Sequence, residues 1–139
     1  MTLSIRNQLP GTVTAITPGE VMATVGIRLA GGQALTAAIT LEAVHELGLA
    51  PGSAVRALVK STEVALATGP VEGVSIRNQL PGTVTDIATG SAMASVKLAF
   101  DGGALTAAVT RDAVADLALT AGSPVVALIK ATEVSLATA

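Results

Sequence analysis

Ser4-Ile5-Arg6-Asn7-Gln8-Leu9-Pro10-Gly11-Thr12-Val13-Thr14 returns letter for letter as Ser75-Ile76-Arg77-Asn78-Gln79-Leu80-Pro81-Gly82-Thr83-Val84-Thr85, 71 residues later. The likeness runs on to the ends of both copies. With one residue dropped near Ala34, residues 35–68 align with residues 105–138, and 39 aligned positions are identical in all. A period of this length is too long for a solenoid repeat and is that of a very small domain. The 139 residues therefore read as a tandem pair, with units at 1–68 and 75–139 and a linker at 69–74. Units so small bury little core and are marginal alone, so packing against each other or against other chains is expected.

Each copy carries the same plan. Val21, Ala23, Val25, Ile27 and Leu29 alternate with Met22, Thr24, Gly26 and Arg28, which is the period of a strand. Gly31-Gly32 is a hairpin turn, and residues 33–39 form the returning strand. Upstream, Pro10-Gly11 and Pro18-Gly19 bracket a strand at residues 12–17. Asn7/Asn78 and Gly11/Gly82 read as turn residues. Downstream, residues 53–60 and 63–67 are two further strands. Between them Leu41, Val44 and Leu47 recur at helical spacing, with Thr40 as N-cap and Gly48 or Pro51-Gly52 as the stop. Thr110 caps the corresponding helix of copy two. The class is mainly β: two tandem OB-like small β-barrels, each with one short helix.

Composition narrows the function. Half of the residues are hydrophobic, but Phe100 is the one aromatic, so platforms for stacking bases or sugars are excluded. Cysteine is absent, which removes disulfides, thiolate metal sites and cysteine nucleophiles. A net charge of −2 argues against broad nucleic-acid binding. No apolar run is long enough for a membrane helix, and the first residues open straight into the repeat, so a cytoplasmic location is expected. No nucleophile–base pair, metal-ligand cluster or P-loop stands out, so catalytic residues and direct metal ligands are expected to be none.

The repeat sorts the eight cations. Arg6 pairs with Arg77 and Lys60 with Lys130, whereas Arg28, Arg56, Lys97 and Arg111 face Ala99, Val126, Gly26 and Leu41. Ser4 and Arg6 lie two apart on an extended segment and so point to one face. A guanidinium fork beside a hydroxyl suits a tetrahedral oxyanion. Lys60 followed by Ser61 adds a compact charge and another donor, and Thr40 opens a helix whose N–H groups point outward. Spacing alone leaves two readings open. These groups build an oxyanion pocket, or they are surface charges, an ordinary cap and a strand start. Glu63/Glu133 and the helix acids Glu42/Asp112 and Glu46/Asp116 recur as solvated charges, and His45, which is Ala115 in copy two, is not expected to act.

Ser-x-Arg-Asn-Gln-x-x-Gly-x-Val, then Ala-Ala-Ile-Thr opening a helix, then Ala-Leu-Val-Lys-Ser-Thr-Glu-Val closely resembles the Mop domain, the TOBE-type molybdate-binding module of molbindins. The likeness covers residues 3–68 and 74–138, so the chain resembles a di-Mop molbindin. That resemblance implies the OB-like fold, molybdate as ligand with tungstate as a near-isosteric second, and a role in molybdenum storage or homeostasis. It also implies a homotrimer with oxyanion sites where Mop domains meet, while the net charge and the short apolar runs lead to the expectation of no nucleic-acid or membrane partner. Ser4 and Arg6 would come from one domain, and Thr40, Lys60 and the backbone at Ser61 from a neighbour. Ser75, Arg77, Thr110, Lys130 and Ala131 would repeat the set, with Ala131 offering only its N–H. A Ser that some relatives place three residues after the helix-opening Thr is Ala43 and Ala113 here. The alternative is a molybdate-responsive regulatory or interaction module.

Overall fold

The computed structural model describes residues 3–139; residues 1 and 2 of the first expected unit lie outside that range. Copy one forms β1 (Asn7–Pro18), β2 (Met22–Leu29), β3 (Ala34–Thr40), α1 (Leu41–Glu46), β4 (Ala54–Val59) and β5 (Ala65–Ala67). Copy two repeats this as β6 (Asn78–Thr89), β7 (Met93–Phe100), β8 (Gly103–Thr110), α2 (Arg111–Asp116), β9 (Pro124–Ile129) and β10 (Ser135–Thr138). The mainly-β class and the β-β-β-α-β-β order are those read from the pattern.

The sheets do not follow the repeat. One has the order β10-β4-β1-β2-β3 and the other β5-β9-β6-β7-β8, so each copy lends its last strand to the other. Ser135 pairs with Leu58 and Ala65 with Leu128, in the same register on both sides. The exchange is invisible in the sequence because the two last strands are nearly the same and fit either sheet. Both sheets are curled, and each long first strand is bulged, between Val13 and Ala15 and between Val84 and Asp86. A bulge bends a strand and sharpens its twist, which lets five short strands wrap around a small core. The buried residues of both copies, among them Val25, Ile27, Leu35, Val96, Leu98 and Leu105, form one continuous cluster.

Three sequence expectations need correction. Pro10-Gly11 is not a turn, because β1 runs through it. Pairing with β2 begins only at Gly11, so Pro10 has β4 as its single neighbour and its missing N–H deprives no partner on the other side. Gly11 is required by close approach rather than by a turn: a Cβ there would stand 2.6 Å from Ile27 Cγ2 and 2.9 Å from the Arg28 carbonyl oxygen. Asn7 and Asn78 are likewise not turn residues. They open β1 and β6, and each is only 3% exposed. The expected strand at residues 63–67 is also shorter, because Ser61–Glu63 forms a single 3-10 turn before β5.

The hairpin and helix ends behave as read. Gly32 takes φ +93° and donates to the Leu29 carbonyl at 2.9 Å. Thr40 and Thr110 cap α1 and α2 by accepting from the N–H of Ala43 and Ala113, both at 3.1 Å. In the linker, Gln79 grips both backbone groups of Val71, donating through Nε2 at 2.8 Å and accepting through Oε1 at 3.2 Å.

Candidate oxyanion site

Strand register creates the site. Asn7 pairs with Val59, so Arg6, one step before, stands beside Lys60, one step after. Asn78 pairs with Ile129, which sets Arg77 beside Lys130 in the same way. Lys60 and Lys130 share backbone angles of φ −65° and ψ 141°, so the two cations leave their sheets in the same direction. Like charges side by side destabilise a sheet end unless an anion lies between them.

Around the first pair, Ser4, Ile5, Arg6, Lys60, Ser61 and Thr62 line a groove of about 240 Å³. None of these lining residues is acidic. Arg6 is held by its own approach segment, with Nε donating to the Ser4 carbonyl at 3.2 Å and Nη2 to that of Leu3. Two of its five N–H groups are thereby used, and the rest of the fork remains available to a ligand. Ser61 Oγ is buried and has no hydrogen-bond partner among the described residues. An orphaned buried hydroxyl is costly, and the cost is relieved by an acceptor entering the groove. In the second copy Arg77 donates to the Val74 carbonyl at 3.5 Å, and Ala131 has no hydroxyl to offer.

Thr40 lies elsewhere. It lines a separate groove of about 540 Å³ with Glu20, Val21, Leu41, Glu42, His45 and Glu46. Three carboxylates on that lining make it unattractive to a dianion within one chain. The structure thus brings Ser4, Arg6, Lys60 and Ser61 together in one chain, where the resemblance placed Lys60 and Ser61 on a neighbouring domain. It leaves Thr40 apart. In copy two the register sets Arg77 opposite Lys130, but the groove that Lys130 lines, about 140 Å³, also carries Glu63 and Glu133, and Thr110, which caps α2, is exposed at the end of β8. Sequence reasoning missed Asn7 and Asn78. Their signal was an amide repeated just after each shared arginine.

The comparisons with known proteins agree with this frame. The TOBE domain model matches residues 3–66 and 74–136. The chain belongs to the TOBE domain family, in two tandem copies. It is 45% identical to the cytoplasmic molybdate-binding protein ModG, whose structure with molybdate bound superposes with a TM-score of 0.97 over 100% of both chains. It is 39% identical to the molybdenum transport protein ModE of Herbaspirillum seropedicae, over 99% of this chain and 52% of that protein. It is 42% identical to the molybdenum-pterin-binding protein MopB of Rhodobacter capsulatus, over 96% of this chain and 50% of that one. The chain therefore spans about half the length of these curated relatives. Among the described residues, no helix is long and apolar enough to cross a membrane.

Proposed function

We propose that the protein binds molybdate, with tungstate as a near-isosteric alternative, and stores or buffers it in the cytoplasm as a homotrimer. The observation that carries this reading is the placement of Arg6 beside Lys60 at a strand end, in a groove without an acidic lining residue and next to a buried hydroxyl that has no partner among the described residues. Two full charges with directed donors match a small dianion. The full-length likeness to ModG supplies the identity of the anion. Binding rather than catalysis fits a site made of an arginine, a lysine and hydroxyls, which lacks a base poised for proton transfer at neutral pH.

Two features support sites completed between chains. Thr40 and Thr110 stand apart from the cation pairs of their own chain, so a site using both needs a neighbour. Beside these threonines, large apolar side chains stand exposed, Val21 at 73%, Met22 at 46% and Met93 at 48%. Met22 pairs with Thr40 and Met93 with Thr110, so the apolar side chains flank the helix-opening residues in both copies. Exposed apolar groups clustered this way mark a contact surface. A regulatory module is the second reading, favoured by the match to about half of ModE.

Calorimetric titration of the whole protein with molybdate, tungstate and sulfate tests the proposal. Tight binding of the first two and weak binding of sulfate is the expected outcome. Heats indistinguishable from dilution for molybdate would refute it.

A further inference from the structure

We propose that Asn7 and Asn78 are positioning residues for the two cation pairs, Arg6 with Lys60 and Arg77 with Lys130, each fixing the arginine before it by clasping the backbone of the opposite copy. The inference rests on the oxyanion-binding reading above. Asn7 Nδ2 donates to the Thr106 carbonyl at 2.9 Å, and its Oδ1 accepts from the Thr106 N–H at 2.8 Å. Asn78 does the same to Thr36, at 2.8 Å and 2.7 Å. A carboxamide presents a donor and an acceptor side by side, so it can replace one rung of a β-ladder, which a carboxylate or a hydroxyl cannot do. These are the two polar residues buried as a whole among the described residues, and all four of their bonds cross between copies.

The placement gives the clasp a role beyond stability. Asn7 follows Arg6 directly, and the described side-chain bonds of Arg6 reach no further than Leu3 and Ser4. The opposite wall of the groove, the 3-10 turn at Ser61–Glu63, packs on β8, the strand that carries Thr106. Both walls of the first groove are therefore fastened to one strand of the second copy. By the same arrangement Asn78 and the turn at Ala131–Glu133 fasten the second cation pair to β3. The separation between arginine and lysine, given by the β1–β4 or β6–β9 register, is then braced by a strand from the other copy, and that strand ends at the helix-opening threonine, Thr110 or Thr40. A free arginine on a frayed strand start would have to be ordered by the ligand itself, which weakens binding.

The full-length protein, with molybdate as probe, tests this in two readouts. In Asn7→Ala, affinity at half of the sites is expected to fall roughly ten- to a hundredfold, as when a partner that orients a ligand group is lost. The Arg6 Nε–H resonance should shift or broaden while that of Arg77 stays in place. Val55→Ala, a cavity at the end of β4 remote from Lys60 and on neither β3 nor β8, serves as the control for lost stability. It should lower the melting temperature yet keep wild-type affinity and an unchanged Arg6 resonance. Should Asn7→Ala fail to fold, Asn7→Ser carries the same readouts, since its short hydroxyl cannot bond both groups of Thr106. The proposal is overturned if the Asn7 variant binds molybdate at every site as the wild type does, or if Val55→Ala loses affinity equally. A wild type that takes no molybdate would instead sink the oxyanion reading, and the Arg6 resonance would still decide the positioning.

Discussion

Ser61 and Ala131 occupy equivalent places, yet only the first carries a hydroxyl, and that hydroxyl is buried without a hydrogen-bond partner among the described residues. Removing it should have opposite effects on the empty and loaded protein. Ser61→Ala is expected to leave the ligand-free melting temperature unchanged or raised, because an unsatisfied polar group is gone. It should also reduce the shift that molybdate produces. Scanning calorimetry with and without ligand reads both, and a lower ligand-free melting temperature with an unchanged shift would contradict the account. The cations separate in the same way. Arg6→Ala or Lys60→Ala should cost about 1.5–3 kcal/mol of binding, roughly ten- to a hundredfold, since each removes a charge-assisted donor. Arg28→Ala, whose counterpart is Ala99, should change affinity little, and equal losses in titration would show the division to be wrong. One residue departs from the repeat in a way that bears on stability alone. Gly48 takes φ +62° after α1, and the same place after α2 is Ala118 at φ 51°. The left-handed region costs an L-residue about 1 kcal/mol, so Ala118→Gly should raise the urea midpoint by a corresponding amount.

At the scale of elements, the exchange of β5 and β10 makes each sheet a joint product of both copies. Residues 1–70 and 71–139, co-expressed as separate chains, should therefore associate and copurify, since each half lacks the partner for its own last strand. Recovery of two independent monomers would contradict the exchange. The alternation at Ala23, Val25, Ile27 and Leu29, the Gly31-Gly32 turn and the Thr40 cap were legible because period, turn and cap are local signals. Strand exchange was not, since the last strand of one copy satisfies the other sheet equally well. Asn7 and Gly11 misled for a related reason. Both residue types are common in turns, but here their use comes from contacts distant in sequence: a backbone clasp to Thr106 and the close approach of Ile27 and Arg28. Within the candidate site, the shared cations were legible from the repeat. Their side-by-side placement required the pairing of β1 with β4.

For the whole molecule, one continuous core spans both copies, and the exposed Val21, Met22 and Met93 lie at the ends that carry Thr40 and Thr110. Assembly and binding are accordingly expected to be linked. A ligand held by the assembled state alone stabilises it by mass action, so molybdate should raise the melting temperature in a concentration-dependent manner. The measurement that bears most directly on the central claim is native mass spectrometry of the intact protein titrated with molybdate. The account predicts a trimer that takes up molybdate in discrete steps, with the same ions absent from any residual monomer. A monomer that binds molybdate as fully as the assembly, or a trimer that takes up none, would contradict it.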